Sequence, residues 1–233
     1  MNNSKIVANK ISRNTKRFKN IIYKERITST NDFALNLLKS GFKQEIVILA
    51  NEQTNGRGKD NTKFISPSNK GIYMSLILKC DLDTSQFLFA VISIAIVKAL
   101  EIYKIKANIK WPNDILINQN KVCGILIESI CNSKGLDNFS VVGIGMNIYN
   151  TKDEICIEET NFASSLNIES NVNIDINNLI SEILLKIEST ILEKTETIIN
   201  EYEKHLIKNY SQMVNFKGNN ILCEIEYLDE PAK

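Results

Sequence analysis

Histidine occurs once in this 233-residue chain, at His205. That excludes mechanisms built on a histidine cluster. Cysteine is scarce too: Cys80, Cys123, Cys131, Cys156 and Cys223 are odd in number, and none forms a C-x-x-C pair. The pattern favours reduced thiols in a cytoplasm-like compartment over a disulfide framework or a zinc site. Neither sign of charge dominates: 28 Lys and Arg against 27 Asp and Glu leave +1. Global attraction to nucleic acid is therefore not expected. No apolar run reads as long enough to span a membrane. The length suits one large domain, or one domain with a small appendage, and suffices for a substantial core.

Glycine is also sparse, nine in all, and three of the nine fall between Ala50 and Gly71. Before them, Ile46-Val47-Ile48-Leu49 reads as a buried strand. After them, Ile72, Met74, Leu76 and Leu78 alternate with Tyr73, Ser75, Ile77 and Lys79, the period of another strand. The loop between carries Arg57, Lys59, Lys63 and Lys70. Gly56 and Gly58, on either side of Arg57, let the backbone approach a ligand. Bare N–H groups beside cations suit a phosphate or carboxylate.

Upstream, residues 1–19 hold six Lys and Arg and no acid, which reads as a solvated leader or flexible tail. An acid-poor basic start also fits a transit segment, so an organelle is possible. It is too short for a winged-helix DNA-binding domain. Ile21-Ile22-Tyr23 suggests a first strand. Thr28-Ser29-Thr30-Asn31-Asp32 then caps a helix that stops at Gly41.

Downstream, Thr84 to Lys104 is strongly helical, with Phe87, Val91, Ile94, Ala95 and Lys98 at helical spacing. Ile109-Lys110-Trp111-Pro112-Asn113-Asp114 holds the only tryptophan and breaks into a turn. Ile115-Leu116-Ile117, a turn at Asn118-Gln119-Asn120, and Lys121 to Glu128 form a hairpin. Phe139 to Ile148 is a further strand thinned by Gly143 and Gly145. From Asp175 to about Asn209 the pattern is helical with one break, and His205 on it reads as incidental. Met213 to Phe216 and Ile221 to Leu228 look like two closing strands joined by a Gly-Asn-Asn turn.

Together these stretches resemble the biotin protein ligases, of the class without an N-terminal DNA-binding domain. The likeness is carried by Ser29-Thr30-Asn31, Gln53 followed by Gly56-Arg57-Gly58, Ser66-Pro67 and Lys110-Trp111-Pro112-Asn113-Asp114. It continues through Lys121-x-x-Gly124-Ile125-Leu126-Ile127-Glu128 and Gly143-Ile144-Gly145-Met146-Asn147. It implies an α+β catalytic domain over residues 20–210, a mixed, mainly antiparallel sheet with helices packed on one side. Residues 211–233 would be a truncated remnant of the family's small SH3-like β domain.

The implied reaction is ATP-dependent, with magnesium: biotin and ATP give biotinyl-5′-AMP, then a lysine of a biotin carboxyl carrier domain takes the biotin. No enzyme side chain need be acylated, so one histidine is no obstacle. Cations must instead gather two anions. The resemblance assigns catalysis to Arg57, Lys59, Lys110, Asp114 and Lys121. Lys121 would reach the biotin carboxyl and α-phosphate, and Asp114 would orient the incoming amine. Biotin would be held by Ser29, Thr30, Asn31, Gln53, Gly56, Arg57, Trp111, Lys121, Gly124 and Gly143. ATP would meet Arg57, Gly58, Lys59, Phe64, Asn113, Lys121 and Asn147, and no protein metal site is implied.

The implied partner is a carrier domain of a biotin-dependent carboxylase, with no DNA and no membrane, in the cytoplasm, and with a homodimer possible. Two departures stand out: the loop reads Gly58-Lys59-Asp60-Asn61, where the family is richer in arginine, with Phe64 in place of a usual tryptophan; and residues 211–233 are too few for the family's small SH3-like barrel. Leakage of the intermediate or weaker ATP binding would follow. Lipoate-type ligation and non-catalytic biotin binding are the competing readings.

Overall fold

Branched apolar residues seed the sheet, and a computed structural model describes it over residues 11, 15–59, 62–80, 82–130, 139–155, 163–207, 211–216 and 219–224. β1 (Ile21–Ile27) and β2 (Ile46–Gln53) run parallel, joined by α1 (Thr30–Lys39) as the crossover. β2 turns back through the glycine-bearing loop into β3 (Gly71–Lys79), antiparallel. After α2 (Leu82–Ile102), the chain lays down β4 (Asn108–Lys110), β5 (Asp114–Ile117), β6 (Asn120–Ile130) and β7 (Phe139–Asn147). β7 returns to pair with β3, giving a seven-stranded sheet in the order β1-β2-β3-β7-β6-β5-β4. All neighbours except β1 and β2 are antiparallel.

Local chemistry sets the ends. Ser29 caps α1, its hydroxyl accepting from the Asp32 N–H, and Gly41 beyond the helix adopts φ +92°. Asn118 and Gln119 take φ 49° and 69°, the paired positive values a tight β5–β6 hairpin requires. The Trp111–Pro112 peptide between β4 and β5 is cis.

Residue parity divides the sheet. Leu76, Met74, Ile72, Val142 and Ile144 face the main core, with Leu88, Ile92, Ile96 and Leu100 of α2 against them. α5 (Ile176–Thr190) and α6 (Thr195–His205) pack behind α2, sending Leu179, Ile183, Ile187 and Tyr202 into the same core. Opposite parity sends Ile48, Ile77 and Val141 into a smaller cluster closed by Ala34 of α1. The three longest-packed helices thus share one face, while α1 covers part of the other. The rest of that second face borders a cavity.

Three expectations are revised. Ser85–Ile102 of α2 is long and apolar enough by composition to cross a membrane, contrary to the sequence reading; its window is mostly buried in the fold, as for a core helix. The start of the chain is not free from Thr15 onward. Ile11 and Phe18 lie in the main core, Arg17 pairs with Glu45, and the Lys16 and Arg17 backbone N–H groups donate to Glu188. A regular Lys-rich run hides such docking, because its two apolar anchors are isolated in sequence. Residues 1–10 lie outside the described residues.

The third revision concerns the closing hairpin, β8 (Ser211–Phe216) with β9 (Asn219–Glu224). Asn219 and Asn220, expected in its turn, are paired to Phe216 and Asn215; residues 225–228 lie outside the described residues. Two one-turn helices not expected from sequence, α3 (Lys152–Ile155) and α4 (Leu166–Ser170), follow β7.

Candidate functional site

Glycines at matching register open the part of this face that α1 does not cover. Gly143 and Gly145 of β7 stand opposite Ser75 and Tyr73 on one side, and opposite Leu126 and Gly124 on the other. Each glycine seats a side chain from elsewhere. A Cβ on Gly143 would fall 2.3 Å from Asn31 Oδ1; on Gly145, 2.7 Å from the Phe64 ring; on Gly124, 3.2 Å from Lys121 Nζ. Above this floor is a cavity of about 690 Å³. Its wall includes α1, the glycine-bearing loop and the Lys110–Asp114 turn.

Every site residue expected from sequence lines this cavity except Gly56: Ser29, Thr30, Asn31, Gln53, Arg57, Gly58, Lys59, Phe64, Lys110, Trp111, Asn113, Asp114, Lys121, Gly124, Gly143 and Asn147. Gly56 stands behind the wall. A Cβ there would meet Phe64 O at 2.5 Å and Ser66 Oγ at 2.8 Å, so its missing side chain serves chain-to-chain approach, not a ligand. The loop stem is likewise self-paired. Phe64 N–H donates to Gly56 O at 2.9 Å, and Gly58 N–H to Thr62 O at 2.7 Å. The Gly58 donor expected to meet an anion is therefore spent inside the loop. Asp60 and Asn61 lie outside the described residues.

The cations arrive with carboxylates. Arg57 Nε and Nη2 donate to Asp32 Oδ1 at 2.9 and 2.7 Å, and Nη2 also to both Glu128 oxygens at 3.1 Å. These contacts, Asp32 first, hold the guanidinium even further above its ordinary pKa, against the opposing effect of burial. Lys121 Nζ pairs with Asp114 Oδ1 at 2.7 Å across the β5–β6 register. Lys121 O accepts from Ser164 N–H at 2.7 Å, which ties its strand to the segment before α4.

The expected nucleotide amides are engaged with backbone. Asn147 Nδ2 donates to Ser164 O at 3.0 Å, and Asn113 Nδ2 to Ile125 O. Tyr202 braces the turn from behind, donating its hydroxyl to Pro112 O at 2.7 Å. Cys123 also borders the cavity, but burial pushes its thiol well up, so it is no ready nucleophile.

At the α1 end, polar side chains form one chain. Asn31 Nδ2 donates to Glu128 Oε2 at 2.9 Å, and Ser75 Oγ lies 2.5 Å from Asn31 Oδ1 and 2.7 Å from Thr30 Oγ1. Gln53 Oε1 accepts from Thr30 N–H at 2.8 Å, and Gln53 Nε2 donates to Ser66 Oγ at 2.9 Å. Sequence reasoning missed Ser75, and quoted Asp32, Ser66 and Glu128 without giving them a role in the site. Ser75 had left a signal: it is the one aliphatic hydroxyl in the apolar strand Gly71–Lys79.

Residues 23–147 match the family model described as the Biotin/lipoate A/B protein ligase family, more than half of the chain. The chain belongs to this family. Among its relatives, the bifunctional ligase/repressor BirA of Bacillus spizizenii is 35% identical over 171 residues, 72% of this chain and 52% of BirA. The biotin–[acetyl-CoA-carboxylase] ligase of Paracoccus denitrificans is 34% identical over 139 residues, 57% of this chain and 56% of that ligase. The matches thus span about half the length of these curated relatives. The solved biotin protein ligase of Aquifex aeolicus, in complex with biotin and ATP, superposes with a TM-score of 0.74 at 26% identity. That alignment covers 91% of this chain and 89% of the Aquifex chain.

As a biotin/lipoate ligase family member, the chain presents four lysines and an arginine around one pocket: Lys59, Lys63, Lys110, Lys121 and Arg57. Trp111 adds an apolar wall, itself packed against the main core. Such a site can neutralise anions without forming a covalent bond to them. No group of three or more His, Cys, Asp or Glu side chains suited to a metal occurs among the described residues. A magnesium ion carried in by a nucleotide takes phosphate and water oxygens as most of its ligands, so it fits this donor set without a protein cage.

Proposed function

We propose that the chain attaches biotin to a lysine of a biotin carboxyl carrier domain, through biotinyl-5′-AMP formed from biotin and ATP. The observation that carries this reading is the convergence of Arg57, Lys110 and Lys121 on one glycine-floored cavity beside Thr30 and Gln53. Relatives named for biotin ligation, the Paracoccus and Aquifex ligases, support the choice within the family.

In the first step, two anions must meet, the biotin carboxylate and the ATP α-phosphate. Lys121 is the cation nearest the floor glycine Gly124 and supplies charge where those oxygens crowd. Magnesium, when bound with ATP, offsets phosphate charge. Arg57, fixed by Asp32 and Glu128, contributes a guanidinium already oriented before ligand arrives, which lowers the cost of ordering it. Trp111 and the loop over the floor exclude water from the mixed anhydride.

In the second step an amine attacks the acyl carbon, and AMP leaves. Asp114 already grips one ammonium, that of Lys121, at 2.7 Å. It is the carboxylate suited to receive the carrier's amine in the same way. Pyrophosphate release measured with and without biotin tests the first step. Release that depends on biotin is the expected outcome; release indifferent to biotin, or stimulated by lipoate in its place, contradicts the reading.

A further inference from the structure

The polar chain beside α1 holds one proton fewer than its contacts require. Glu128 is bonded by Arg57 Nη2 at 3.1 Å and by Asn31 Nδ2 at 2.9 Å. The Asn31 amide therefore turns nitrogen to the carboxylate and oxygen to Ser75; the opposite orientation would set an oxygen against a carboxylate. Ser75 Oγ lies 2.5 Å from Asn31 Oδ1. Since Asn31 Oδ1 carries no hydrogen, the Ser75 proton occupies that contact. The Thr30 proton can then serve either Ser75 Oγ at 2.7 Å or Gln53 Oε1 at 3.0 Å; bare oxygens repel more at the shorter contact, where Ser75 is fully buried, so the proton goes to Ser75.

Nothing remains for the last contact. Thr30 Oγ1 lies 3.0 Å from Gln53 Oε1. Gln53 cannot turn its nitrogen there, because Oε1 accepts the Thr30 N–H and Nε2 donates to Ser66. Two oxygens thus stand side by side on the cavity wall with no hydrogen between them, and both belong to residues that line the cavity.

We infer that Glu128, Asn31 and Ser75 form a directional relay that fixes Thr30 and Gln53 as a paired acceptor, so that this wall selects a ligand edge bearing an N–H donor and rejects its oxygen isostere. Ser75 and Glu128 act as positioning residues, since Ser75 is fully buried and neither it nor Glu128 lines the cavity. The inference rests on the biotin reading: the cyclic urea brings N–H groups, and an N–H placed on the pair meets lone pairs that otherwise stay unpaired, those of Thr30 Oγ1 and the second on Gln53 Oε1, whose first takes the Thr30 N–H. An oxygen at the same place adds a third lone pair and no proton.

Equilibrium titration of the full chain tests this, using biotin and the two cyclic carbamates in which one urea N–H is replaced by oxygen. The wild type is expected to bind biotin on the order of 10²-fold more tightly than at least one carbamate. Ser75→Ala frees the Thr30 hydroxyl to turn toward Gln53. Glu128→Gln lets its amide donate to Asn31, so that the whole relay can reverse and place the Thr30 hydrogen on Gln53. Each variant should cut the preference to within about tenfold, whereas a general loss of structure weakens all three ligands together and leaves the ratio unchanged.

If Ser75→Ala fails to fold, the nearly isosteric Glu128→Gln decides. A wild type that binds biotin without preferring it to either carbamate, or a preference unchanged in folded variants, overturns the relay alone. No biotin binding by the wild type overturns the functional reading, and the relay with it.

Discussion

Lys121 and Arg57 both enter the cavity holding a carboxylate, and that changes how their charge is understood. A lysine pinned at 2.7 Å by Asp114 is ordered without ligand, so its loss removes a preorganised group and not a mobile counter-ion. Lys121→Ala is expected to slow adenylate formation by about 10²–10³-fold, read as biotin-dependent pyrophosphate release. Near-wild-type release would remove Lys121 from that role. The residue scale is also where the sequence was least informative. The partners of Arg57 lie 25 and 71 positions away, and Asn31 and Glu128 are 97 apart. Motif spacing names the cation but not the acid that orients it. Ser75 stayed hidden for a related reason: a lone hydroxyl in an alternating strand satisfies the strand pattern whatever it touches.

At the scale of elements, periodicity carried most of the fold. α1, β3, α2, the β5–β6 hairpin and β7 stand close to their expected positions, because each has its own cap, turn or alternation. What periodicity cannot give is which strand neighbours which, and so which glycines become a floor. Gly143 is the sharpest case. With Asn31 Oδ1 2.3 Å from where a Cβ would sit, Gly143→Ala must push α1 off the sheet. Overpacking of this kind costs about 1–3 kcal/mol. A lower urea midpoint together with weaker biotin binding is expected; unchanged values for both would contradict the packing described.

The Lys110–Asp114 turn depends in the same way on α6, through Tyr202. Burial raises the pKa of this phenol above its ordinary value. Its folded form therefore holds a proton that the unfolded chain would lose first. The stabilisation is complete below about pH 10 and is lost as pH rises from there toward the raised folded value. Tyr202→Phe should cost about 0.5–1.5 kcal/mol at neutral pH through the lost bond to Pro112 O. It should also flatten the fall in urea midpoint between about pH 9 and about pH 11. An equally steep fall in the variant would assign the alkaline sensitivity elsewhere, Tyr73 being the other deeply buried phenol raised by burial among the described residues.

At the scale of the whole molecule, one sheet separates two tasks. Its helix-covered face supplies the large apolar core, and the other face trades apolar cover for a polar, glycine-lined pocket. The first described residues belong to the core side. Phe18 is 2% exposed and packed in the main cluster. Phe18→Ala is expected to destabilise the fold by about 3–5 kcal/mol; a urea midpoint close to wild type would return this segment to the free tail that its composition suggested.

Carrier modification is the central claim, and the mass of the carrier measures it directly. The protein is incubated with ATP, magnesium, a biotin carboxyl carrier domain, and equal biotin and lipoate. A gain of one biotinyl group on the carrier lysine is expected, absent without ATP. A carrier of unchanged mass, or one carrying lipoyl instead, would contradict it.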